Sequence, residues 1–258
     1  MLKHLVLPLA ITFALSAQAE DQAIAELLAQ HQLQGTMVIA SLNSGRTFVH
    51  DDARAGQRYT VASTFKILNT LIALQEGLVT GKDSVFTWDG KVRSIASWNR
   101  DQTLESAFKL SCVWCYQQLA VQIGPQKYRE YLHSLDFGQL HEPFNVSTFW
   151  LDGSLQISAR EQVAFLQQVY QRSLPFSSQA YDTLQEIMLV EKTPDYTLYA
   201  KTGLAGDTTP EIGWYVGYVV TSSDVWLFAT NLDIHDDAEL PLRLSLTREA
   251  LQAKGVLP

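Results

Sequence analysis

The chain of 258 residues carries 19 Lys and Arg against 27 Asp and Glu, a formal charge of −8 at pH 7, and 47% of it is hydrophobic. That length and apolar content allow a sizeable core and exclude disordered, collagen-like and coiled-coil classes. The acidic balance argues against a nucleic-acid partner, because phosphates draw Lys- and Arg-rich faces. Two Cys are too few for a disulfide scaffold.

Residues 1–19 form a segment apart. Lys3 precedes an apolar stretch over residues 5–15, and Ala17-Gln18-Ala19 follows it. The stretch is too short for a bilayer, which takes about 20 helical residues. A basic start, a short apolar centre and an A-x-A end read as a cleaved secretory signal. The mature chain, 20–258, is therefore expected to be periplasmic or secreted, with no membrane contact after cleavage.

Residues 23–33 are amphipathic. Residues 35–50 alternate apolar and polar around Asn43-Ser44-Gly45 and predict a β-hairpin. Residues 62–76 are apolar nearly all round and stop at Gly77, the pattern of a buried helix. Residues 158–173 and 178–189 predict helices capped by Ser158 and Ser178. Residues 196–201, 213–220 and 225–231 are β-branched and aromatic, hence strands, and 243–254 predicts a closing helix. Strands at both ends with helices between them predict an α/β chain of the α+β type. Sequential strands usually pair, so residues 20–60 and 191–258 should share one antiparallel sheet, with 61–190 inserted as a helical lobe. A small-molecule site belongs in the cleft between lobes.

Some motifs carry little. Gly77-Leu78-Val79-Thr80-Gly81-Lys82 has the wrong spacing for a phosphate loop. The six His show no ligand spacing, so no metal is expected.

Ser63-Thr64-Phe65-Lys66 carries more. Three residues apart on a helix, hydroxyl and amine share one face. Ser is a weak nucleophile until a base takes its proton, and Lys can be that base if burial lowers its pKa. The helix start also aims N–H groups at Ser63, where an oxyanion can be held. Ser111-Cys112-Val113 heads a second apolar segment, and Lys201-Thr202-Gly203 ends a predicted strand. S-x-x-K, a central S-motif and K-T-G, in that order, form the signature of β-lactamases and penicillin-binding proteins.

With S-x-V in the middle place, the mature chain resembles the class D (oxacillinase-type) serine β-lactamases. Phe149-Trp150-Leu151-Asp152-Gly153-Ser154 resembles the family's W-L loop, Trp98 its cleft-rim Trp and Pro241-Leu242-Arg243 its carboxylate-binding segment. The resemblance implies a penicillin-binding transpeptidase-like fold and a β-lactam substrate. Ser63 is then the nucleophile. Lys66 is carboxylated on Nζ by CO₂ or bicarbonate, with no other cofactor, and held by Trp150. The N–H groups of Ser63 and Leu204 make the oxyanion hole. Ser111 passes a proton to the leaving nitrogen while Lys201 keeps the field positive. Thr202 and Arg243 hold the substrate carboxylate beside Gly203. Val113, Trp98 and Leu151 line the cleft.

The chain departs from the pattern at Phe137-Gly138-Gln139, where the family has Y-G-N, and no role is carried to Phe137 or Gln139. Glu142 resembles the class A general base but reads as a loop acid. Cys112 and Cys115 read as two buried thiols, because an i, i+3 pair within a regular helix directs its Cβ atoms poorly; a disulfide is the alternative. A β-lactam sensor and a D-Ala-D-Ala peptidase share these motifs, and either a monomer or a homodimer fits. Residues 204–212, with Asp207 and Glu211, are expected to shape substrate choice.

Overall fold

The computed structural model describes residues 20–206 and 208–258, so the segment 1–19 expected to be a signal and Asp207 lie outside the described residues. Helix α1 (Gln22–Gln30), capped by Asp21, leads into the hairpin β1 (Gly35–Ser41) and β2 (Thr47–His50). A short α2 (Asp52–Gly56) and β3 (Tyr59–Thr60) bring the chain to a 3₁₀ turn, Ala62–Phe65, and α3 (Lys66–Gln75). The buried helix expected over 62–76 is thus present but tighter in its first turn, the turn that contains Ser63.

The pair β4 (Val85–Phe86) and β5 (Gln102–Thr103) precedes α4 (Leu104–Lys109), α5 (Val113–Ile123) and α6 (Pro125–Ser134). After β6 (Gln139–Leu140) and β7 (Leu155–Ile157) come α7 (Ala159–Gln171) and α8 (Ser178–Met188). Ser158 and Glu161 form a capping box on α7, as the sequence pattern predicts. The cap of α8 is Ser177 rather than Ser178, since either member of a Ser doublet can supply the hydroxyl. The chain closes with β8 (Leu189–Lys192), β9 (Tyr196–Ala205), β10 (Glu211–Thr221), β11 (Val225–Ile234) and α9 (Leu242–Ala253).

Both ends of the chain meet in a six-stranded antiparallel sheet, ordered β2-β1-β11-β10-β9-β8. One face carries α1 and α9 around Ile24, Leu28, Phe228 and Leu246. The other carries the helical part, whose core continues from Phe65 and Leu68 to Trp214 and Val216 of the sheet. Helix α7, although it belongs to the middle of the sequence, lies directly against β1 and β11.

Strand β9 sets the position of the site. β8 pairs only with Thr197, Leu198 and Tyr199, which leaves the stretch from Ala200 onward without a strand on that side. Gly203 lies there, and a Cβ on it would come within 3.2 Å of Thr64 Cγ2 and 3.4 Å of Ala62 Cβ. The absent side chain is what lets the K-T-G segment close against the turn that carries Ser63. No helix among the described residues is long and apolar enough to cross a membrane.

Candidate active site

Ser63 sits in the first turn of the 3₁₀ segment, whose N–H groups have no acceptor within the helix. Ala62, just before it, has φ of 51°, a left-handed value that costs a non-glycine residue about 1–2 kcal/mol. Such strain persists only where the surroundings over-determine it. Here Trp214 Nε1 donates to Thr60 O at 2.9 Å, and Thr64 Oγ1 donates to Val61 O at 2.6 Å while accepting from Gln162 Nε2 at 2.7 Å. The chain on both sides of Ser63 is therefore anchored.

Lys66 Nζ donates to Ser63 Oγ at 2.9 Å. The side chain is only 1% exposed, and its ammonium position lies 4.9 Å above the ring of Tyr116. Tyr116 is itself held by a 2.8 Å hydrogen bond between its hydroxyl and Thr70 Oγ1. Burial pulls the Lys66 pKa from 10.5 down to about 7. At neutral pH a large fraction of this amine is uncharged and can accept a proton or react with an electrophile.

A second pair closes the site from the sheet. Lys201 Nζ donates to Ser111 Oγ at 2.5 Å and to Thr202 O at 2.9 Å. Burial, then the charges of Lys66 and Arg243, hold the Lys201 pKa well below its ordinary value. Arg243, on the first turn of α9, donates from Nη1 to Gly203 O at 2.5 Å and from Nε to Leu240 O at 2.8 Å. Burial lowers its pKa, yet a guanidinium stays charged at any working pH. Three basic side chains thus converge, and no described carboxylate forms an ion pair with any of them; Arg243 keeps its charge, and an arriving anion would favour the charged forms of the two lysines. A cavity of about 310 Å³ adjoins Lys201 and Thr202, walled by Phe108, Met188, Leu189 and Leu244.

Trp150 is fully buried, its ring stacked 6.0 Å from that of Phe65, the residue before Lys66. Its Nε1 has no hydrogen-bond partner among the described residues. A buried donor left unpaired is rare and calls for an acceptor. Trp98 donates from Nε1 to Leu110 O at 2.9 Å, which ties it to the residue before Ser111. Val113 and Leu151 are half-buried at the start of α5 and after Trp150. The side chain of Leu204 packs with the core on the α1–α9 face, and its backbone pairs with Gly213 of β10. Glu211 opens β10.

Sequence reasoning missed some of the site. Cys112 and Cys115 are not two thiols but a disulfide, with Cα atoms 5.5 Å apart. The geometric objection assumed both residues inside one helix. Cys112 is instead the N-cap of α5, with ψ of 107°, which turns its Cβ across the first turn. Phe137, in the departed Y-G-N place, packs 6.0 Å from Phe65 and 4.8 Å from Phe165, so it is part of the wall behind α3. Gln139 accepts from Arg58 Nη1 at 2.8 Å.

Glu142 is exposed and paired with Arg129 at 2.6 Å. The hydrogen bond from Arg129 holds its carboxyl below the usual range, the opposite of what a general base near neutrality needs. Steady-state kinetics of Glu142→Gln should differ from the parent by less than about twofold, the scale of an exposed ion pair.

A hydroxyl next to a largely neutral buried amine, a second hydroxyl held by a second lysine, and an anion-drawing arginine can together carry out acyl transfer on a negatively charged amide. Known proteins agree with that chemistry. The model of the penicillin binding protein transpeptidase domain matches residues 35–252. Beta-lactamase OXA-48 of Klebsiella pneumoniae is 42% identical over 229 residues, 89% of this chain and 86% of that protein. Beta-lactamase OXA-20 of Pseudomonas aeruginosa is 40% identical over 228 residues, 87% of this chain and 84% of that one. Among solved structures, FUS-1 (OXA-85), a class D β-lactamase from Fusobacterium nucleatum subsp. polymorphum, superposes with a TM-score of 0.90 at 36% identity, covering 93% of this chain and all of that one. The fold, the order of the motifs and these relatives lead to one conclusion: the chain belongs to the class D serine β-lactamases.

Proposed function

We propose that this chain opens the lactam ring of penicillin-type antibiotics through an acyl-enzyme on Ser63, with Lys66 carboxylated on Nζ. The observation that carries the reading is the buried Ser63–Lys66 contact of 2.9 Å, with the Lys66 pKa near 7. A carbamate forms only on a neutral amine and, being an anion, tolerates burial only with hydrogen-bond donors around it. The unpaired Trp150 Nε1–H fits that requirement, and an anion on Lys66 in place of a cation would in turn favour the charged form of Lys201. Carboxylation supplies an anionic oxygen base beside Ser63, for the attacking hydroxyl and later for water.

The residues of the chain do the rest. Ser63 Oγ attacks the lactam carbonyl, and the N–H groups of Ser63 and Leu204 hold the oxyanion. As the C–N bond opens, Ser111 gives its proton to the ring nitrogen and takes one in its place from Lys201, whose Nζ lies 2.5 Å from its Oγ. Thr202 and Arg243 hold the substrate carboxylate beside Gly203, Arg243 by its charged fork. Trp98, Val113 and Leu151 form the apolar rim. No nucleic acid takes part, and the protein acts as a monomer or homodimer.

Turnover is the test. Incubation with benzylpenicillin should yield many equivalents of penicilloate per enzyme, whereas one equivalent and a lasting adduct would indicate a sensor or a D-Ala-D-Ala peptidase. Arg243→Ala should raise KM by about 10- to 100-fold, the range of a lost charged hydrogen bond. Its kcat should change far less, because the carboxylate lies away from the breaking bond. Export follows from the A-x-A segment: protein from periplasm or medium should have an intact mass lacking residues 1–19, and retention of them contradicts the leader.

A further inference from the structure

Ser111 is held in a conformation that serine does not choose. Its φ is 54°. Ser111 N donates to Phe108 O at 3.2 Å and Cys112 N to Ala107 O at 2.9 Å. These two bonds make a Schellman end to α4, with Ser111 in the left-handed place that glycine ordinarily takes. Ser111 Oγ meets Lys201 Nζ from this conformation, which must be enforced from outside the residue.

On the α4 side the Schellman bonds enforce it, together with Trp98, whose Nε1 binds Leu110 O and whose carbonyl accepts from Trp114 Nε1 at 3.0 Å. On the α5 side the brace is different. Helix α5 has no oxygen cap. Its N-cap is Cys112, whose sulfur lies 3.3 Å from Cys115 N, a weak acceptor where Ser, Thr, Asp or Asn is preferred. The disulfide bonds that same sulfur to Cys115 across the first turn. Both residues are fully buried.

We infer that the Cys112–Cys115 disulfide is a positioning element of the reaction: it reinforces the weak sulfur cap on α5 and locks Ser111 in the left-handed conformation that presents its hydroxyl to Lys201 and the leaving nitrogen. The inference rests on the proton-transfer role proposed for Ser111. It assigns the middle residue of the S-x-V motif a task that an ordinary side chain there cannot perform.

The experiment is a four-way comparison of parent, Cys112→Ala/Cys115→Ala, Ser111→Ala and the triple variant, each checked for fold by circular dichroism and assayed with benzylpenicillin well below its melting temperature. Removing the disulfide should lower kcat about tenfold with KM within about twofold, since a sub-ångström misplacement of a reacting group has effects of this order. In the Ser111→Ala background the same removal should change kcat by less than about twofold, because the residue through which the bond acts is gone. Equal kcat with and without the disulfide overturns the inference, and so does an equal loss in both backgrounds, which would mark a general structural role. Ser111→Ala at the parent rate would instead overturn the role of Ser111, and this inference with it. If the alanine pair does not fold, Cys112→Ser/Cys115→Ala, which gives α5 a hydroxyl cap without the bond, takes its place in the same comparison; it should stand between parent and disulfide loss in the Ser111 background and show no effect without Ser111.

Discussion

Ser63→Ala should lower kcat for benzylpenicillin by about 10⁴-fold or more, the cost of deleting a nucleophile when only binding and the oxyanion site remain. The fold should survive. The change removes one oxygen from a turn whose backbone is anchored by Thr64, Gln162 and Trp214 rather than by Ser63 itself. It also removes the contact of Lys66 Nζ, so the melting temperature is the control that separates chemistry from packing. Hydrolysis at near the parent rate with an unchanged melting curve would show that another group attacks the lactam.

The second large effect concerns Lys66 and pH. Burial places its pKa at about 7. Below that pH the amine is protonated and cannot take up CO₂; above it the neutral amine dominates. Activity should therefore fall as the pH drops through about 7, and added bicarbonate should recover part of it by mass action. Trp150→Phe isolates the donor, since it keeps a buried ring against Phe65 and deletes only the N–H. The melting temperature, measured without bicarbonate, is the control for packing, because the deleted N–H has no protein partner among the described residues. kcat should fall by about tenfold, the scale of one lost hydrogen bond to a charged acceptor, and bicarbonate should restore more of it than in the parent. Indifference to both pH and bicarbonate would mean that Lys66 works as a plain amine.

Much of the fold is legible because its signals are local. The buried helix after Ser63, the Ser158 cap and the alternating hairpin around Asn43-Ser44-Gly45 need no tertiary information. Strand β9 was less legible. The pattern ends it at Lys201, because Thr202-Gly203 resembles a turn, whereas it continues to Ala205 paired with β10. The glycine marks a close approach of the strand to the Ala62 and Thr64 side chains, which only the three-dimensional packing reveals.

The site divides in the same way. The spacing of Ser63 and Lys66 puts them on one face, and that much follows from helical geometry. The meeting of Ser111 with Lys201 depends on β9 crossing to the junction of α4 and α5, so it followed only from resemblance. The disulfide was misjudged because its geometry depends on where α4 ends, a matter of backbone hydrogen bonds at Ala107 and Phe108 rather than of the Cys spacing. Trp150 as the donor to Lys66 follows from resemblance, whereas the lack of any partner for its N–H among the described residues is seen only in the packing.

Carbon-13 NMR of the protein equilibrated with ¹³C-bicarbonate tests the central claim, the carboxylated Lys66, most directly. One carbamate resonance is expected above pH 7 that weakens as the pH falls through about 7, weakens in Trp150→Phe and is missing from Lys66→Ala. A parent protein that hydrolyses penicillin while showing no carbamate resonance at any pH would contradict it.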